Sequence, residues 1–230
     1  ARLLLMPRRK PEPYRDVDGP AGQWESDSII EDIQPAFMAN AAESWLWMLC
    51  EILEHSVQLS GDGEGLARYD DHSYIWRPAI EDHPQNRDNG FLDSIVSAVR
   101  DAAERVISVD AGQLPRIVDR LELYGRPIFE RIALHLLRIC GGPTEIVRVR
   151  LLKGESFDSA VLKHEYSYLL RAAFGAMDPS AQAIILGWIE SGPDLQGRIE
   201  WLKHVHGRPA TEEEVAQTVD VWRRDRLSII

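Results

Sequence analysis

The stretch that decides the fold is LPRIVDRLELYGRPIFERIALHLLRICGGP, residues 114–143. In its second half, apolar residues recur at the spacing of one buried helix face. They are Phe129, Ile132, Ala133, Leu136, Leu137 and Cys140. Pro127 suits the first position of that helix, and Gly141 or Gly142 ends it. The stretch therefore predicts a helix, a short turn and a second helix.

The same alternation of helix and short turn continues along most of the chain, and no segment of useful length alternates with a period of two. We therefore predict an all-α protein of about nine helices. A second helix that begins with proline after a short turn is typical of HEAT-like helical pairs. This favours an irregular array of helical hairpins, a HEAT-like α-solenoid. A globular helical bundle is the alternative.

The domain organisation follows from where prolines and glycines cluster. Residues 7–28 hold four prolines and two glycines, which predicts an extended Pro/Gly-rich arm over residues 1–30. Residues 31–230 are predicted to form a single all-α domain. The chain starts without methionine and its last helical pattern runs to the end, so we expect a piece of a longer protein.

The composition argues against two classes of partner, duplex nucleic acid and membranes. The net charge of −11 argues against duplex nucleic acid as a partner, because binding phosphates needs clustered lysine and arginine. No apolar run approaches the roughly 20 residues that span a bilayer, so no membrane partner is expected. The two cysteines, Cys50 and Cys140, lie on apolar stripes and form no disulfide framework. This pattern predicts a reducing, cytoplasmic location.

The sequence contains none of the common motifs for catalysis or cofactor binding. There is no Gly-x-Ser-x-Gly elbow, no dinucleotide fingerprint, no phosphate loop and no zinc-protease pattern. His135 lies opposite the apolar stripe of its helix, on a face with Arg131 and Arg138, which predicts a solvated or hydrogen-bonded histidine. We therefore expect a protein without catalytic activity, cofactor or bound metal.

One segment, SYIWRPAIEDHPQN at residues 73–86, does not follow the helical pattern. Pro78 and Pro84 leave room for at most a short helix between them. The favoured interpretation is a structural plug that joins the first long helix to the array. The alternative is a loop that contacts a protein partner, with candidate contacts at Trp76, Arg77, Glu81 and His83.

Acidic residues around the same segment leave an enzyme hypothesis open. Such a site would be built from Asp70, Asp71, Glu81 and His83. It requires these side chains to converge in a cleft with perturbed carboxyl groups.

The tryptophans divide into two groups. Trp45, Trp188 and Trp222 lie on apolar stripes and are predicted to pack in the core. Trp24, in the predicted arm, and Trp47, off the main stripe, lack that explanation, so each is a candidate for docking on the protein itself or on a neighbour.

Three segments together resemble a known class of protein. They are SYIWRPAIEDHPQN, RPIFERIALHLLR and HEYSYLLRAAFGAMDPSAQAIILGWIESGPD. Over residues 70 to 195 the chain resembles the C-terminal helical region of large bacterial proteins that carry a STAND-type ATPase or another effector and are suspected of phage defence. The resemblance implies a sensor or scaffold array that recognises a protein. The chain has no Walker motif, so the resemblance does not extend to an ATPase module.

We therefore predict a non-catalytic protein-interaction, scaffold or sensor module of a larger cytoplasmic bacterial protein. Its partner would be a protein or another domain of the same chain, and its acidic surface would steer a basic partner. Two alternatives stay open: the enzyme described above, and a domain whose only task is dimerisation through a large apolar face.

Overall fold

Helices make up nearly all of the regular structure in this computed structural model, which describes residues 4–9, 17–18, 23–60, 73–86 and 90–230. The all-α prediction is confirmed. A two-residue antiparallel ribbon accompanies the helices, with β1 (Arg8–Arg9) paired to β2 (Val17–Asp18). Twelve α-helices lie in the described ranges, compared with about nine expected.

The chain divides into two compact units, Ala1–Pro143 and Thr144–Ile230. The sequence predicted one domain over residues 31–230, so this division is a difference from the expectation. A sharp helix stop lies at the boundary. Gly141 adopts a φ of 69°, which glycine accepts without strain, and Pro143 follows two residues later.

The helices of the first unit are α1 (Gln23–Asn40), α2 (Ala42–Ser60), α3 (Ser73–Trp76), α4 (Gly90–Val109), α5 (Leu114–Glu122) and α6 (Pro127–Ile139). Because α1 begins at Gln23, residues 23–30 are helical rather than part of the predicted extended arm. The prolines and glycines behind that prediction end at Gly22.

The core of the first unit forms where α2 packs against α4 and α5 packs against α6. Trp45 is fully buried, and its ring stacks on Phe37 with centroids 4.7 Å apart. Trp47 is also buried, against the Arg120 guanidinium 3.8 Å from its ring centroid. This cation–π contact explains Trp47 as a structural residue. The side chain of Trp24 lies outside the described residues.

Helix α6 is buried on every side rather than along one stripe. Its apolar face carries the predicted stripe, and Pro127 occupies the first turn as expected. Arg131 and His135, on the opposite face, are also buried, with exposures of 0% and 2%. The sequence treated that face as an outer one, but residues 73–86 cover it.

The helices of the second unit are α7 (Thr144–Leu151), α8 (Gly154–Phe157), α9 (Lys163–Ala173), α10 (Pro179–Ser191), α11 (Leu195–His206) and α12 (Glu212–Leu227). Its core has an aromatic centre in which Phe157 contacts Tyr166, Trp188 and Trp222. Two of these helices begin with side-chain caps. Asp178 caps α10, and Thr211 with Glu214 forms a capping box on α12.

Candidate functional site

The segment 73–86 is held in place by buried arginines. Between α3 and the 3-10 turn at Pro84–Asn86 its backbone is non-helical, so its carbonyl oxygens need donors from elsewhere. Arg77 supplies two of them. Its Nε donates to the Ala79 carbonyl and its Nη2 to the Ile80 carbonyl, both at 2.8 Å. Only 1% of Arg77 is exposed.

Two further arginines reach the same backbone from neighbouring helices. Arg131 of α6 donates to the Pro78 carbonyl at 3.2 Å. Arg100 of α4 donates to the Ile80 carbonyl at 3.0 Å. Three consecutive carbonyls, of residues 78 to 80, therefore accept hydrogen bonds from arginines. We call Arg77, Arg100 and Arg131 the arginine clamp.

Carboxylates balance the charge of the arginine clamp. Arg77 pairs with Asp93 of α4, and Arg100 pairs with Asp82 at 2.8 Å and with Asp101 at 2.7 Å. The hydrogen bond from Arg100 lowers the pKa of Asp82. Buried guanidinium groups are tolerated only when their charge and donors are matched in this way.

Asn86 closes the segment on itself. Its Nδ2 donates to the carbonyls of Ala79 at 2.9 Å and Glu81 at 2.8 Å, and the side chain is buried. With the arginine clamp, this means that four consecutive carbonyls, from residue 78 to residue 81, accept from side chains. The loop is fixed by specific bonds, although it has almost no regular secondary structure.

His135 lies between two carboxylates and connects the loop to α4 and α6. His135 Nδ1 lies 3.4 Å from Glu81 Oε2, and His135 Nε2 lies 3.1 Å from Glu104 Oε1. Arg138 donates to the same Glu81 oxygen at 2.9 Å. Since both ring nitrogens face carboxylates and the side chain is 3% exposed, His135 presents no nitrogen to a substrate. The group joins Glu81 of the loop to α4 and α6.

The predicted site residues have different environments. Arg77 is inside the protein and cannot meet a partner in this structure. Trp76, Glu81 and His83 are partly exposed. Glu81 faces His135 and Arg138, whereas His83 Nδ1 accepts from the Gln85 backbone N–H at 3.2 Å. Asp70 and Asp71, the other half of the enzyme hypothesis, lie outside the described residues.

Two neighbouring residues were missed by the sequence reasoning. Ile75 is 64% exposed and Tyr74 is 38% exposed on the single turn of α3, immediately before Arg77. The turn is too short to display a periodic stripe, so its outward face was not predictable from spacing. The available signal was composition, since two large apolar side chains adjoin a loop rich in charge.

No family model, curated protein or solved structure matches the chain. Within the described ranges, no helix is long and apolar enough to cross a membrane, and no group of three or more histidine, cysteine or acidic side chains is arranged to hold a metal ion.

Proposed function

We propose that the chain is a non-catalytic protein-interaction module that docks a partner on the turn formed by Tyr74 and Ile75. The single observation that carries this proposal is the combination of exposure and rigidity at that turn. Its apolar side chains face solvent, while the backbone that follows is fixed by the arginine clamp. A contact residue that is already held in place loses little conformational entropy on binding.

The proposal combines the two interpretations of residues 73–86. Arg77 has the structural role of the plug, and the neighbouring turn has the docking role. Trp76 joins the two, because it is partly exposed and sits between Ile75 and the buried Arg77. Large apolar and aromatic side chains of this kind carry much of the binding energy in protein interfaces.

The wider setting of the module is also part of the proposal. Paired helices such as α5 and α6, joined by a tight turn at Gly125, support a HEAT-like array of hairpins. Such an array serves as a sensor or scaffold in a larger bacterial protein, whose other domain acts. The two free cysteines support a reducing, cytoplasmic location.

The test is a comparison of two single substitutions at exposed apolar residues of the first unit. Ile75→Asp places a charge on the proposed docking turn. Leu123→Asp makes the same change at a residue that is 84% exposed, after α5. Wild type and both variants are used as bait in lysate of the source organism, and captured proteins are quantified by mass spectrometry.

We expect Ile75→Asp to reduce capture of a specific protein by about tenfold or more, the effect of losing an interface hot spot. Leu123→Asp should capture that protein as well as wild type does. Circular dichroism checks that both variants are folded. If Ile75→Asp retains every protein that wild type retains, the turn is not the docking surface.

A further inference from the structure

A second surface of the first unit lies at the C-terminal ends of α4 and α6. There a cleft of about 610 Å³ is lined by Asp101, Glu104 and Ile107 from α4 and by Ile139 and Cys140 from the end of α6. Its volume falls within the range of small-ligand and peptide side-chain pockets. Residues 73–76 do not line it, so it is separate from the docking turn.

The charges of this cleft favour a cation. In the described part of the chain, hydrogen bonds reach only one oxygen of each lining carboxylate. Asp101 Oδ1 accepts from Arg100 at 2.8 Å, and Glu104 Oε1 faces His135 at 3.1 Å. The other oxygen of each is available. Arg105 is the basic residue in the lining.

The helix ends add to the negative potential. Ile107 lies in the last turn of α4, and Ile139 is the last residue of α6. The carbonyl groups of both helix C-termini therefore lie near the cleft, where the helix dipole is negative. The last turn of α4 has no basic residue, and that of α6 has Arg138, which pairs with Glu81.

Apolar surface accompanies these charges. Ile139 is 51% exposed at the cleft, whereas Ile107 is buried beneath it. Val109, two residues further along the chain, is 70% exposed. A ligand that matched only the carboxylates would leave this surface in contact with water, so the complementary ligand has an apolar part beside its cation.

We propose that the cleft binds a basic side chain, arginine or lysine, of a partner protein segment, with an adjacent apolar residue against Ile139. This inference rests on the proposed function, since it adds a second contact for a protein partner. The cation bridges the available oxygens of Asp101 and Glu104.

Cys140 provides a way to test the site in the native chain. It lines the cleft and is half-buried, whereas Cys50 is fully buried in the core. Burial raises the pKa of both thiols. Because alkylation requires access as well as thiolate, N-ethylmaleimide will add once, at Cys140, and the adduct will fill part of the cleft. Mass spectrometry of residues 139–148 after trypsin verifies the position.

The probe is a dye-labelled peptide containing Leu-Arg-Leu, and its binding is followed by fluorescence anisotropy. A matched peptide carries citrulline, which has the shape of arginine without its charge. We expect the arginine peptide to bind more tightly than the citrulline peptide. Alkylation of Cys140 should weaken binding by about tenfold, and Cys140→Ser should bind normally and be insensitive to N-ethylmaleimide.

Charge variants locate the cation. Asp101→Asn and Glu104→Gln should each weaken binding of the arginine peptide by about fivefold, the scale of a partly exposed ion pair. The control, Asp32→Asn, changes the same charge at an exposed residue of α1 and should have no effect. Because Asp101 also pairs with Arg100 and Glu104 also faces His135, urea denaturation must show that each variant keeps the stability of wild type before its binding is compared.

Three results would overturn the proposal: no binding of the arginine peptide, equal binding of the citrulline peptide, or binding that is insensitive to alkylation of Cys140. None of them bears on the docking turn, because Ile75→Asp leaves the cleft intact. If Ile75→Asp loses the captured partner and the peptide test also fails, the proposed function stands and the cleft proposal is rejected.

Discussion

The side chain of Arg77 is of a kind that proteins rarely bury, because a buried charge must be matched by partners. It is 1% exposed, yet it carries a charge. Its donors reach two loop carbonyls and the Asp93 carboxylate, so neither the charge nor the carbonyls are left unmatched. The backbone of residues 79 and 80 depends on this one side chain.

Replacing Arg77 with alanine should therefore destabilise the first unit by about 3 kcal/mol or more, because it leaves buried acceptors and a carboxylate without their donor. Arg116→Ala is the matched control. Arg116 pairs with Glu43 while 49% exposed, so we expect a loss under about 1 kcal/mol. Urea denaturation followed by circular dichroism measures both. Equal losses in the two variants would show that the arginine clamp does not stabilise the unit.

Sequence reasoning singled out residues 73–86 and favoured a structural role for them, but it did not identify the partners of Arg77. It selected Trp76, Arg77, Glu81 and His83 as unusual, and it placed His135 with Arg131 and Arg138 on one helix face. The partners of Arg77 include backbone carbonyls, Asp93, sixteen positions away, and the Ser97 hydroxyl. No spacing rule connects a side chain to the carbonyl oxygens of a non-helical loop, so its burial could not be predicted.

Helix α12 illustrates how a single element can be predicted well from local sequence. Thr211 accepts from the Glu214 backbone N–H, and the Glu214 side chain accepts from the Thr211 N–H at 2.8 Å. Arg208 also donates to Glu214. The hydrogen bond from Arg208, followed by that from Thr211, lowers the pKa of Glu214 from 4.5 to about 2.

This shift predicts a pH dependence with a definite sign. A carboxyl group whose pKa is lower in the folded state stabilises the fold above its unfolded pKa and loses that effect as pH falls. The thermal midpoint of wild type should exceed that of Glu214→Gln at neutral pH. The difference should shrink as pH falls from 4.5 towards about 2. Thermal melts of both proteins across this range measure it, and a constant difference would contradict the assignment.

Elements with local stop and start signals were predictable, and elements without them were not. Proline at the start of α6 and α10, and glycine after α6, marked those helices in the sequence. By contrast, apolar residues recur at helical spacing from Phe37 to Leu53, yet the chain divides into α1 and α2 at Ala41. No proline or glycine lies at Ala41, so the apolar periodicity continues across the break and does not reveal it.

The division of the molecule into two units depends on contacts between residues far apart in the chain, which a single sequence does not reveal. Each unit has a core of its own. In the second unit, Phe157 lies among three aromatic rings, and Asp158 accepts from Trp222 Nε1 at 2.8 Å. Such a core can support a small domain without help from the rest of the chain.

We therefore expect residues 144–230, expressed alone, to fold into a helical domain with a cooperative thermal transition. The measurements are far-ultraviolet circular dichroism and the dispersion of tryptophan side-chain signals in NMR spectra. Trp222→Ala provides the control, because removal of a buried aromatic should cost about 3 kcal/mol or more and abolish the transition. A fragment that is unfolded on its own would contradict the assignment of an independent unit.

The central claim is that the whole molecule docks a protein on the turn at Tyr74 and Ile75. The most direct measurement places a photo-crosslinking residue, p-benzoylphenylalanine, at position 75 in the full chain and irradiates living cells. Position 123 receives the same residue as the control. We expect a discrete crosslinked protein from position 75 and none from position 123. Absence of a crosslink at position 75, or the same crosslinks from both positions, would contradict it.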